Sequence, residues 1–92
     1  MIATPWHWQF PPIEKPLPLR DQIVSIAGEV KEALDAYDSG EPFERVSEEI
    51  MDVIHRAESS LRELEGCDVD FGAVKRSVIE KNDARGYYGV IE

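Results

Sequence analysis

Cysteine is nearly absent. Of 92 residues only Cys67 carries a thiol, which excludes an internal disulfide and suits a reducing compartment. Positive charge is scarce as well. Ten Lys and Arg stand against nineteen Asp and Glu, for a net charge of −9. A phosphate-backbone binder needs a basic face, so nucleic acid is not an expected partner. An anionic membrane surface is excluded on the same ground. No apolar run approaches membrane length and no signal-peptide pattern opens the chain, so the expected setting is cytoplasmic. Strict alternation of apolar and polar residues is missing, and no strand is expected. Gly86 and Gly89 make no phosphate loop, because no strand precedes them and no Gly-Lys-Ser/Thr follows. Ser/His/Asp sets, Cys/His nucleophile pairs and zinc spacings are absent.

Proline is present but confined. Five of the six prolines fall in residues 1–18, together with Trp6, His7, Trp8 and Phe10. That density excludes a regular helix or central strand. The aromatics argue against plain disorder. An extended arm that packs its rings on its own domain or on a neighbouring subunit is the favoured reading. A ligand-pocket wall with an indole stacked on a base is the other.

Residues 19–92 read as one helical domain of three helices, near 19–39, 42–65 and 70–82. In the first, Ile23, Ile26, Ala27, Val30 and Leu34 form an apolar stripe at helical spacing. In the second the stripe is Val46, Ile50, Val53, Ala57, Leu61 and Leu64. Glu44, Arg45, Glu48, Arg56, Glu58, Arg62 and Glu63 read as its solvated surface. Asp38-Ser39-Gly40 is a helix stop, and Pro42 fits a helix start. Gly66 ends the second helix, and Asp70 can cap a third that carries Phe71, Val74, Val78 and Ile79. The expected fold is therefore all-α, an antiparallel hairpin plus a third short helix. Its stripes are too apolar for so short a chain to cover alone, so association into a homodimer at least is expected.

The chemistry concentrates between Glu29 and Asp52. Glu29 and Glu32 lie three residues apart, as do Glu49 and Asp52. On a helical hairpin these pairs can meet around one small volume. Bare, such a cluster raises its own pKa values and opposes folding. A hard divalent cation with a preference for oxygen, such as Mg²⁺, reverses that sign. Asp52-Val-Ile-His55 also matches once the carboxylate–histidine spacing that di-iron bundles use twice. A polar interface residue is the plainer reading of His55.

Taken in order, Glu-x-x-Glu, a turn, Glu-x-x-Asp followed by Val-Ile, and Lys81-Asn82-x-x-Arg85-Gly-Tyr-Tyr resemble the MazG-like all-α nucleotide pyrophosphohydrolases. The likeness spans roughly residues 20–89 and is nearest to the short phage and prophage forms. It departs at Gly28, where many members carry a further glutamate, and at Pro16 and Pro18, which shorten the first helix. The resemblance implies a helical hairpin that dimerises, or pairs into tetramers, as a helix bundle. It implies a Mg²⁺-dependent split of a nucleoside triphosphate into monophosphate and pyrophosphate. Metal ligands would be Glu29, Glu32, Glu49 and Asp52. Glu32 and Glu49 are equal candidates for the base that takes a proton from water. Lys81, Asn82 and Arg85 would contact phosphate. The alternative is a non-catalytic acidic helical dimer that binds another protein.

Overall fold

The computed structural model of the chain describes residues 6–89. Three helices are present, α1 (Leu19–Asp38), α2 (Phe43–Glu65) and α3 (Phe71–Ala84), with no strand among the described residues. The expected boundaries hold to within two residues, α3 running on to Ala84. None of the helices is long and apolar enough to cross a membrane.

The local sequence explains each end. Pro18 and Pro42 occupy the N-cap positions of α1 and α2 with extended backbone, and their carbonyls accept the first helical N–H bonds, from Gln22 and Val46. Proline suits that site because it has no N–H to lose. α1 stops in a Schellman turn, with Glu41 N–H donating to Ala36 and Gly40 N–H to Tyr37. Gly40 sits at φ 72°, a left-handed value that glycine adopts without strain. Asp70 caps α3 by accepting from the Ala73 N–H at 3.1 Å. The same Schellman pattern closes α3, from Tyr87 N–H to Asn82 and from Gly86 N–H to Asp83. Part of the Asn82–Tyr87 motif is therefore used to stop a helix.

α1 and α2 pack side by side, and α3 has little packing against either. The expected α2 stripe is half-buried except at Ile50, but the seam between the helices is not the expected apolar one on the α1 side. Gln22, Ser25, Ile26, Glu29, Ala33 and Ala36 of α1 are buried or half-buried, against Val46, Glu49, Val53, Arg56 and Ser60 of α2. Of the expected α1 stripe only Ile26 is partly covered. Ile23, Val30 and Leu34 are 50–57% exposed, and Ile50 and Ile54 of α2 also face outward. Ala36 and Phe71 are the only buried apolar residues among those described.

The proline-rich arm packs on its own chain. Glu58, expected at the surface, is 1% exposed and is the anchor. It accepts from the Trp6 indole N–H (3.2 Å), the Gln9 N–H (2.9 Å) and the Phe10 N–H (3.0 Å). The Arg62 guanidinium donates to the Phe10 carbonyl at 2.8 Å and lies 4.1 Å from the Trp8 ring centroid. Arg62 is thus half-buried rather than solvated. Trp8 meets Phe71 edge-on, and Phe10 stacks on His55 with centroids 5.1 Å apart. Burial alone would raise the Glu58 carboxyl. The Gln9, Trp6 and Phe10 donors and the Arg62 charge outweigh it and hold the pKa below its ordinary 4.5.

That direction sets a test. A depressed carboxylate stabilises the fold above its unfolded pKa, and the contribution is lost as pH falls through the folded value. Tryptophan fluorescence should report arm release only in acid below pH 4.5. Glu58→Gln, which keeps the shape but loses the charge, should lower stability to urea by roughly 2–3 kcal/mol. A change within experimental error would show that the arm is not anchored there.

Candidate metal centre

α1 carries Glu29 and Glu32 on one stripe, and α2 brings Glu49 against them. Oxygens from these three carboxylates lie within 4.8 Å of one another. Glu49 is 5% exposed, Glu29 is largely covered, and Glu32 opens to solvent. Asp52 stands outside this group and is exposed. It lies roughly 60° further round α2 than Glu49, on a side chain one methylene shorter than glutamate. The structure therefore brings together three of the four expected ligands.

Two arginines, both expected as surface residues, partly neutralise the site. Arg45 Nη2 donates to Glu49 Oε1 at 2.6 Å, and Arg45 also reaches Glu48 and Glu41. Arg56 Nε lies 3.5 Å from Glu29 Oε1, and Arg56 is half-buried. In each buried glutamate the other oxygen, Glu29 Oε2 or Glu49 Oε2, is buried with no donor. A buried acceptor left unmatched costs roughly 1–3 kcal/mol, which a proton on Glu32 or a bound cation would offset. The Glu32 carboxyl is raised above its ordinary 4.5, first by the charge of Glu29, then by desolvation and by Glu49. Repulsion of this kind is what an added cation would relieve.

Beyond the trio the surface opens into a polar concavity of about 380 Å³, lined by Glu32, Asp35, Ser39, Glu41, Arg45 and Glu49. On the other side a smaller cleft of about 160 Å³ lies between the arm and the hairpin, where Arg56 meets Gln22, Ser25 and Ser59. Trp6 and Trp8 do not line it, being committed to Glu58, Arg62 and Phe71. His55 faces Phe10 of the arm and is not one of the clustered residues.

The tail residues stand apart within one chain. Lys81 and Arg85 are exposed, and Asn82 is half-buried with its carbonyl turned to Arg85 and Tyr87. Neither a hydrogen bond nor an ion pair joins these three to α1 or α2 among the described residues. No family model, curated protein or solved structure matches this chain.

The donor set is hard, anionic and all oxygen, which fits Mg²⁺ or another hard divalent cation. A cation that binds the folded trio and not the unfolded chain must raise the melting temperature. Mg²⁺ titration by calorimetry should show that rise, and Glu49→Gln should remove most of it. Equal stabilisation of both proteins would mean that the cation acts elsewhere.

Proposed function

We propose that the chain is a Mg²⁺-dependent nucleoside triphosphate pyrophosphohydrolase of the MazG-like kind, acting as a homodimer or larger assembly. The reading rests above all on two buried, unmatched carboxylate oxygens beside a third, solvent-facing carboxylate. The sequence resemblance supplies the choice of bond. Carboxylates and a cation alone would serve removal of a γ-phosphate equally well.

Bound at the trio, Mg²⁺ would neutralise phosphate oxygens and make water more acidic. Glu29 and Glu49 are the natural holders, since Arg56 and Arg45 fix one oxygen of each and leave the other for the metal. Glu32 is the better proton acceptor of the two candidates, because it faces solvent and no arginine ties it. Asp52, one turn from Glu49, completes the set if its side chain swings toward the trio. The chain's charge of −9 would repel a bare triphosphate, so the nucleotide must arrive with its cation.

The outward stripe of Ile23, Val30, Leu34, Ile50 and Ile54 supports association. Burying one such side chain contributes roughly 1.5–3 kcal/mol, a gain the single chain forgoes. A second copy is the proposed cover. Lys81, Asn82 and Arg85 would then contact phosphate from another copy, since α3 stands off its own hairpin.

Incubation with a nucleotide panel and Mg²⁺ should release pyrophosphate and monophosphate, and chelator should stop it. Orthophosphate and diphosphate would overturn the bond assignment. Metal binding without turnover would favour a structural dimer instead. Asp52→Asn should abolish activity at unchanged helicity, and full activity would remove Asp52 from the site. Leu34→Glu should shift the sedimentation coefficient toward a monomer, which places a like charge in the proposed interface. An unshifted value would move the interface elsewhere.

A further inference from the structure

We propose that the N-terminal arm is a latch for α3. Trp8, held on α2 through Glu58 and Arg62, fixes the direction in which α3 leaves the hairpin, and freeing the arm frees α3.

α3 has almost no seat of its own. Phe71 is its one buried residue, Gly72 and Asn82 are half-buried, and every other position from Ala73 to Ala84 is exposed. Among the described residues, no hydrogen bond or ion pair joins residues 71–89 to the hairpin or to the arm. Residues 66–70, which lead into the helix, are exposed throughout. Isolated helices shorter than about 12–15 residues are marginal in water, and α3 has 14. Its order and its direction therefore depend on what Phe71 touches.

Phe71 touches the arm. The Trp8 ring meets it edge-on, with centroids 6.4 Å apart and planes at 63°, a favourable arrangement of two aromatic rings. The same indole lies 4.1 Å from the Arg62 guanidinium carbon, a cation–π contact with α2. One side chain of the arm thus joins the last turn of α2 to the first turn of α3.

Trp8 is placed by its neighbours in turn. Trp6, Trp8 and Phe10 are half-buried while His7 and Gln9 are exposed, the alternation of an extended segment lying on a surface. That surface is His55, Glu58 and Arg62, which recur at i, i+3 and i+7 on α2. Glu58 accepts from both sides of Trp8, from the Trp6 indole and from the backbone N–H groups of Gln9 and Phe10. Arg62 holds the Phe10 carbonyl. Glu58 itself has no hydrogen bond or ion pair with α3 among the described residues, so its hold on α3 runs through the arm. None of these residues belongs to the carboxylate trio, and the latch does not depend on the metal reading.

Leverage gives the latch its consequence. Phe71 and Arg85 are separated by roughly 21 Å of helix, and a swing of about 20° at Phe71 carries Arg85 through roughly 7 Å. The reach of Lys81 and Arg85 is thus set at the far end of α3, by the arm.

Backbone ¹⁵N relaxation of the full-length protein provides the test. In the wild type the α3 amides should tumble with those of α1 and α2. Trp8→Ala should shorten the correlation time of α3 while α1 and α2 still tumble as one body. Glu58→Ala, which removes no contact of α3, should do the same from a distance. If Glu58→Ala unfolds the hairpin, the double variant Trp6→Phe, Gln9→Pro decides in its place, because it removes two of the donors to Glu58 from the arm alone. Common tumbling in every variant would mean that another contact, a second copy included, holds α3, and would overturn the proposal. Independent tumbling of α3 in the wild type would overturn it as well. Loosening by Trp8→Ala alone, with α3 unmoved when the Glu58 clamp is broken, would reduce the latch to a local ring contact and overturn it too.

Discussion

Two carboxylates in the seam of a helical hairpin are the constraint on which this structure turns. Glu29 and Glu49 occupy places where a short chain would be expected to bury leucine or valine. Burying like charges face to face is doubly unfavourable, through desolvation and through repulsion. Arg45 and Arg56 offset part of it, but each reaches only one oxygen of its partner. A hairpin built this way is weakened as a fold, and its three clustered carboxylates could hold a cation. The small residues around the acids, Ser25, Ala33 and Ala36, let the two helices come close enough for three carboxylates to share one volume.

The rest of the single chain does little to make up the deficit by apolar burial. Its most deeply buried large side chain is itself a carboxylate, Glu58. The arm is therefore held by directional contacts rather than by a core. Three donors converge on Glu58, and Arg62 grips the arm's backbone and one indole. Such a clamp is exacting in geometry, because every donor must meet the carboxylate or leave it unmatched in a dry place. It also has reach. Fixing Trp6 to Phe10 and bracing Leu17 on Gln22 settles the path of Ile13 to Pro16 between them, which is where the cleft against the hairpin acquires its second wall.

What could be read from the residues alone follows from how local each signal is. Helix ends were legible because Pro18, Gly40, Pro42 and Asp70 act through their own backbone or through the next turn. The grouping of Glu29, Glu32 and Glu49 was legible because helical spacing and a short turn bring them together. Asp52 shows the limit of that reasoning. Periodicity places a residue within tens of degrees, and in this conformation the short Asp52 side chain stops outside the trio. Glu58 and Arg62 were not legible at all. An i, i+4 glutamate–arginine pair looks the same in water as under an arm, and its partners lie about fifty residues away in sequence. The orientation of the α1 stripe was hidden for a related reason. A period says which residues share a face, not which face the neighbouring helix takes.

That orientation has a geometric consequence. Counting at 100° per residue, the stripe of Ile23, Val30 and Leu34 lies roughly 120° round α1 from Glu29. Ser25 and Glu32 lie roughly 40–60° from Glu29 in the opposite sense. On α2, Ile50 and Ile54 fall on the stripe side of Glu49, whereas Arg56 and Arg45 fall on the other. In an antiparallel pair equal rotations reach the same flank of the hairpin. The hairpin thus has an apolar flank and a chemical flank, back to back. A second copy seated on the first flank would stabilise the fold and leave the acids, the open concavity and the arm cleft accessible to a ligand. The two flanks can be altered separately by mutation, because no side chain of the apolar stripe lines the concavity or the cleft.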